Sequence, residues 1–242
     1  MTDRESSGDA DARNPGTGDD GRECTGSAPW AGVVLAGGGS TRFGDADKLL
    51  AELDGTPLLR RVADRLAART DRLVVAARPG ERSTVRDLLA GIPAEVTVLT
   101  DPEPDRGPLA GMAVGLDAVP ERYEYGAVVA GDMPFVDPAL LDYLHDRAAP
   151  DHDVALVRTE EGWYNTTQAI YRAAPVALGC ERVLADGGGR ILDAFEDLDA
   201  LTVEAHELDG VVSMETFLDV DTREDLAEAH DLVCRDRGFD KH

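Results

Sequence analysis

Lysine is nearly missing from this chain. Among 242 residues, Lys and Arg together number 24, yet only Lys48 and Lys241 are lysines. Cysteine is sparse too. Cys24, Cys180 and Cys234 are an odd set, widely spaced and without a CxxC pair. That excludes a disulfide framework and a cysteine-built zinc site. The five histidines show neither HxH nor HExxH spacing, so a histidine-built zinc centre has no basis either. Long apolar stretches are also absent, and none approaches the roughly 20 residues that a membrane-spanning helix requires. The first 28 residues contain no apolar segment of the signal-peptide kind, and the expected compartment is the cytoplasm. Positive charge is scarce overall: 48 Asp and Glu face 24 basic residues, for a formal charge of −24. Such a surface repels nucleic acid and anionic membranes, so neither is expected as a partner.

An acidic, arginine-rich and lysine-poor composition resembles that of halophilic proteins. In molar salt the screening length falls to about 3 Å, and like charges on one surface then repel little. Against that background a single lysine carries information. Lys241 is at the C-terminus, whereas Lys48 sits in the densest motif of the chain.

Hydrophobic residues make up 43% of the chain, enough to bury a core at this length. Residues 2–29 hold no Val, Ile, Leu or Phe, too little apolar surface to offset the entropy of ordering, so a disordered acidic tail is expected over 1–28. One domain is expected over 29–236, its first half binding a nucleotide and its second an acceptor. Short β-rich runs alternate with helix-period segments. Strands are predicted at Gly32–Ala36, Leu73–Ala77, Val96–Leu99 and Ala127–Ala130, and helices at Pro57–Leu66, Ser83–Ala90 and Leu109–Ala118. Asp137-Pro138 offers an N-cap and a first-turn proline for a further helix. Beyond Pro150 the rhythm loosens. Strands are predicted at Val154–Val157, Gln168–Tyr171 and Leu201–Ala205, with helices at Ala173–Ala185, Arg190–Phe195 and Arg223–Val233. The alternation predicts an α/β fold, a Rossmann-like three-layer sandwich on a mostly parallel sheet.

The strongest motif runs Leu35-Ala36-Gly37-Gly38-Gly39-Ser40-Thr41-Arg42-Phe43-Gly44 and continues to Lys48. A glycine-rich turn after a strand lets backbone N–H groups approach phosphates, and Arg42 and Lys48 add two cations. Neither the GxxxxGK[ST] nor the GxGxxG spacing is present. Asp132 follows the apolar run Ala127–Gly131, which puts a carboxylate at the C-terminal sheet edge where α/β folds bind ligands. There it can hold Mg²⁺ against phosphate oxygens. Asp101 likewise follows a strand, and Asp219 and Asp221 alternate along an extended segment, so both can point the same way. Candidate acceptor contacts are Gln168, Tyr171, Arg182 and Arg190, with Trp163 and Tyr164 as stacking surfaces.

The pattern Leu35-Ala-Gly-Gly-x-Ser-x-Arg-x-Gly-x-x-Asp-Lys48, followed by Leu53-x-Gly-x-Pro-Leu-Leu59, resembles the signature of the molybdenum cofactor guanylyltransferase family. That family lies within the wider nucleotidyltransferases of the sugar-nucleotide type. Gly107-Pro108-Leu109-Ala110-Gly111, Gly131–Phe135 and Phe217–Leu226 resemble its further blocks. The resemblance implies a guanylyltransferase, with attack of an acceptor phosphate, that of molybdopterin, on the α-phosphate of GTP and release of pyrophosphate. It implies GTP contacts from Leu35, Ala36, Gly37, Gly38, Arg42, Lys48, Asp101, Gly107, Pro108, Leu109 and Asp132. Arg42, Lys48 and Asp132 would be the catalytic set, and Asp132, Asp219 and Asp221 the ligands of Mg²⁺. The family often carries asparagine where this chain has Asp219 and Asp221. Transient contact with molybdoenzymes or other cofactor-synthesis proteins is also implied. A cytidylyltransferase for the same pterin, a guanylyltransferase for cobinamide phosphate or phospholactate, and a catalytically silent nucleotide-binding regulator are the alternatives.

Overall fold

The computed structural model describes residues 29–37, 48–101 and 107–239. The expected tail over 1–28 and the predicted site residues Gly38 and Arg42 lie outside the described residues. Among the described residues, nine strands and six α-helices follow in chain order. They are β1 (Trp30–Ala36), β2 (Glu52–Leu53), β3 (Thr56–Pro57), α1 (Leu58–Ala67), β4 (Arg72–Ala77), α2 (Arg82–Leu88), β5 (Glu95–Thr100), α3 (Pro108–Asp117), β6 (Tyr125–Ala130), α4 (Pro138–Ala148), β7 (Val154–Arg158), β8 (Tyr164–Arg172), α5 (Ala173–Ala185), β9 (Ala200–Glu204) and α6 (Arg223–Phe239).

Seven strands form one sheet in the order β5-β4-β1-β6-β8-β7-β9. The pairs β1–β4, β1–β6, β4–β5 and β7–β9 are parallel, while β8 runs antiparallel to both of its neighbours. Six strands therefore share one direction, as a βαβ alternation requires. Successive side chains of a strand face opposite sides, and here both sides are covered. Val34, Val75 and Val129 pack with Leu59, Val62 and Leu66 of α1 and Leu140, Leu141 and Leu144 of α4. Val33, Val74 and Val128 pack on the other side with Leu109, Met112 and Leu116 of α3 and Val176 and Cys180 of α5. This is the expected three-layer sandwich.

Local chemistry sets the element ends. Asp137 caps α4 by accepting the Ala139 N–H at 2.9 Å, with Pro138 in the first turn. Pro57 is not inside α1 as predicted. It closes β3, because Asp54-Gly55 forms a two-residue hairpin with β2 in which Asp54 has φ 57° and Gly55 φ 73°. Two consecutive left-handed residues are the requirement of a tight hairpin turn, and Asp-Gly is its usual sequence. The helix predicted over Arg190–Phe195 is a 3-10 helix, Ile191–Phe195. A third, smaller core joins Leu53 and Leu58 to Phe135, Val220 and Ala229, so α6 packs over the hairpin.

Candidate active site

The chain enters the sheet at β1, turns outward through β4 and β5, and returns to the other side of β1 as β6. The crevice beyond the C-terminal ends of β1 and β6 is therefore the point where strand order reverses, the place where open α/β sheets bind ligands. A cleft of about 580 Å³ lies there. Gly37 follows β1 directly, and the Gly131 N–H extends the pairing by donating to the Leu35 carbonyl at 3.0 Å. Asp132 comes next. Its carbonyl accepts the Val220 N–H at 2.9 Å, which draws the segment carrying Asp219 and Asp221 across to the end of β6.

Lys48 is the centre of the cluster. Its ammonium is 2.5 Å from Asp132 Oδ2 and 2.6 Å from Asp221 Oδ1. The residue is buried, at 5% exposure. Burial alone would lower the lysine pKa, but the two carboxylates outweigh it and hold the group above its ordinary value, so it is charged at neutral pH. Asp219 shows the opposite pressure. Burial first, then the charges of Asp221 and Asp132, raise its carboxyl above the usual carboxylate value. The Thr222 N–H and the Asp221 N–H both donate to the Asp225 carboxylate, at 2.7 and 2.9 Å, and fix the entry into α6.

Asp101, at the end of β5, is buried and lines the same cleft. Its carboxylate stands between Gly37, just past β1, and Gly111 of α3. A Cβ placed on Gly37 would come within 3.3 Å of Asp101 Oδ2, and one on Gly111 within 3.6 Å. The glycines thus let two backbone segments close on a carboxylate. Arg78, just past β4, donates from Nε to the Gly37 carbonyl at 2.9 Å and fixes the chain where it leaves β1. The opposite wall is a run of neutral polar groups, Thr159, Asn165, Thr166 and Thr167, with Tyr164, on the β7–β8 hairpin.

Residues 32–201 match the family described as MobA-like NTP transferase domain. The chain belongs to this family. It is 42% identical over 202 residues to a protein of Natronomonas pharaonis named probable molybdenum cofactor guanylyltransferase, covering 84% of this chain and 97% of that one. A Methanosarcina acetivorans protein of the same name is 33% identical over 199 residues, covering 80% and 87%. Among solved structures, molybdopterin-guanine dinucleotide biosynthesis protein A from Archaeoglobus fulgidus superposes with a TM-score of 0.69. It covers 85% of this chain and 99% of that chain at 24% identity.

Of the predicted site residues of this MobA-like domain, Leu35, Gly37, Lys48, Asp101, Gly107, Pro108, Asp132, Asp219 and Asp221 all line the one cleft. Ala36 and Leu109 do not. Their side chains are buried in the two cores flanking the sheet, so contact from these positions would have to come from the main chain. Gln168 is fully buried and donates to Thr216 Oγ1 at 2.7 Å, and Tyr171 is buried with its hydroxyl on the Thr166 carbonyl at 2.7 Å. Neither is an acceptor contact. Arg182 pairs with Asp197 at 2.8 Å and Arg190 faces Asp193 at 3.9 Å, both outside the cleft lining. Trp163 is 76% exposed and also outside it, whereas Tyr164 does line the cleft. The sequence reading missed Arg78 and, beside Tyr164, the wall residues Thr159, Asn165, Thr166 and Thr167. The Asn165-Thr166-Thr167 run within a strand was the available signal, since polar residues at successive positions break the alternation of a half-buried strand.

The predicted magnesium ligands are not preassembled. Among the described residues no three acidic, His or Cys side chains form a ready metal group, and the Lys48 ammonium bridges Asp132 and Asp221. The donor chemistry nevertheless fits Mg²⁺, which is ordinarily held by one or two carboxylates plus substrate phosphates. Among the described residues the charged lining of the cleft is Asp101, Asp132, Asp219 and Asp221 against Lys48. A polyphosphate entering that lining needs added positive charge.

Proposed function

We propose that this protein is a molybdenum cofactor guanylyltransferase, which moves GMP from GTP onto the phosphate of a molybdopterin-type acceptor. An acceptor phosphate oxygen attacks the α-phosphorus, the bond from that phosphorus to the β-phosphate bridging oxygen breaks, and pyrophosphate leaves with the electron pair. The observation that carries the reading is the meeting of Lys48 with Asp132 and Asp221 at the strand-order reversal, in a chain whose relatives bear that name.

Each wall of the cleft has a part. Gly37, its carbonyl held by Arg78, begins the glycine-rich segment whose main-chain N–H groups would meet the phosphates, and Arg42 would add a second cation. Asp101 accepts hydrogen bonds from the nucleoside. Lys48 meets negative charge that builds on the phosphates during attack, a contact that grows in the transition state and so accelerates the reaction. Asp132 and Asp221, with Asp219 beside them, would hold Mg²⁺, which when bound neutralises phosphate charge. The Thr159, Asn165, Thr166 and Thr167 wall aligns the acceptor through neutral hydrogen bonds, and Tyr164 offers a flat face to its ring. Positioning of this kind requires no covalent enzyme intermediate.

Pyrophosphate release tests the reading directly. Each of the four ribonucleoside triphosphates is paired with molybdopterin, cobinamide phosphate and phospholactate, with and without Mg²⁺. Release is expected with GTP and molybdopterin, and only with Mg²⁺ present. A preference for CTP, or for another acceptor, would replace the substrate assignment. No release with any pair would remove the enzymatic one.

A further inference from the structure

The proposed reaction, on which this inference rests, asks two things of one small region. The Lys48 ammonium must meet phosphate oxygens, and Asp132 and Asp221 must meet a divalent cation. The structure has the ammonium bonded to both of those carboxylates, at 2.5 and 2.6 Å. We propose that the Lys48 ammonium and the divalent cation are alternative occupants of the point between Asp132 and Asp221, and that the triphosphate is what exchanges one for the other.

The physical case rests on burial and charge. Two cations cannot share the same pair of carboxylate oxygens at bonding distance without strong repulsion, which is weakly screened away from bulk water. Lys48 is 95% shielded from solvent, at 5% exposure, whereas the Asp221 side chain is 41% exposed. A metal ion approaching alone would push a desolvated ammonium off two anionic partners, and displacing a buried charge from its partners is costly. A triphosphate arriving with the metal supplies new anionic oxygens to that ammonium. Metal and nucleotide therefore bind with positive coupling, and linkage makes the coupling reciprocal. The lysine acts as an internal placeholder that keeps the carboxylates apart from free metal and releases them only when a substrate phosphate can take the ammonium.

This chain makes the exchange observable, because Lys48 and Lys241 are its only lysines. With ¹⁵N-lysine labelling, the side-chain ammonium spectrum contains two lysine signals, which Lys48→Arg assigns. Mg²⁺ alone is expected to leave the Lys48 signal in place. Mg²⁺ with a non-hydrolysable GTP analogue is expected to move it. Independently, Mn²⁺ titration without nucleotide, followed by electron paramagnetic resonance, is expected to show Lys48→Gln binding the ion at least about tenfold more tightly than wild type, within the usual range of site-to-site coupling. Movement of the signal by Mg²⁺ alone, or equal Mn²⁺ affinity in the folded variant, overturns the proposal. If the variant does not fold, the wild-type spectra decide. Failure here with intact GTP-dependent pyrophosphate release removes the exchange and leaves the proposed function standing. Signal movement with metal and nucleotide, but no release with any acceptor, does the reverse.

Discussion

Asp132 and Asp221 divide the same ammonium between them, so the two carboxylates can be tested one at a time. Asp132→Asn keeps the shape of the side chain and removes its charge, while Lys48 keeps Asp221 as a partner 2.6 Å away. The variant is expected to fold, to lose about 100-fold or more in kcat/KM, and to lose most of the gain in GTP affinity that Mg²⁺ confers on the wild type. Calorimetric titration of GTP with and without Mg²⁺ measures that gain. A variant that keeps the wild-type difference would move the metal to Asp219 or Asp221. Cys180 illustrates a group with no such role. It is fully buried in the core between the sheet and α5, and burial pushes its thiol up to about 12. At neutral pH it stays protonated, and the thiolate is the reactive form. Iodoacetamide on the native protein, read by peptide mass, is expected to spare Cys180 and modify the exposed Cys234. Rapid native labelling of Cys180 would show that the α5 layer opens.

At the scale of elements, one short 3-10 helix, Met214–Phe217, determines where Asp219 and Asp221 end up. Thr216 anchors it. The buried hydroxyl accepts the Asp137 N–H at 2.9 Å and the Gln168 Nε2–H at 2.7 Å, tying the segment to the cap of α4 and to β8. Thr216→Val conserves volume and leaves both donors unpaired. It is expected to lower unfolding stability by about 1–3 kcal/mol, read from denaturant melts, and to reduce turnover because the acidic segment loses its anchor. Unchanged stability would mean that water replaces the hydroxyl. The same contact explains why Gln168 was misassigned from sequence. β8 lies between β6 and β7 with helices on both faces. A polar residue there looks like a site residue in a sequence, because periodicity cannot report that its amide N–H donates to a hydroxyl 48 positions away. The β2–β3 hairpin was legible in Asp54-Gly55 and overlooked, since its two-residue strands are shorter than any periodic window.

For the whole molecule, the surplus of carboxylates is the dominant feature. Its formal charge of −24 sets up self-repulsion that opposes the compact state in dilute buffer. Among the described residues most arginine–carboxylate pairs are at the surface, where each contributes about 0–1 kcal/mol and weakens with salt, so screening removes more repulsion than attraction. The melting temperature is expected to rise between low and molar KCl. A flat or falling curve would count against a halophilic adaptation and place the acidic surplus in some other role. At this scale the sheet also decides where the chemistry sits. With strand order reversing at β1 and β6, the residues just past those two strands, Gly37 and Asp132, must open on one crevice.

The identity of the parts was legible in the sequence. Apolar β-rich runs, the Asp137-Pro138 cap and the carboxylate after β6 are each written within a few residues, because strand propensity and capping are local properties. The company these parts keep was decided only by the tertiary structure. Lys48 and Asp221 are 173 positions apart, and the sequence made Lys48 a catalytic, phosphate-binding cation and Asp221 a magnesium ligand, without pairing the two. The sheet order and the Val220 N–H on the Asp132 carbonyl bring Asp221 to that ammonium. Such a meeting leaves no periodic trace along the chain, since it is set by which backbone groups must find partners across the fold once the strands have chosen their neighbours.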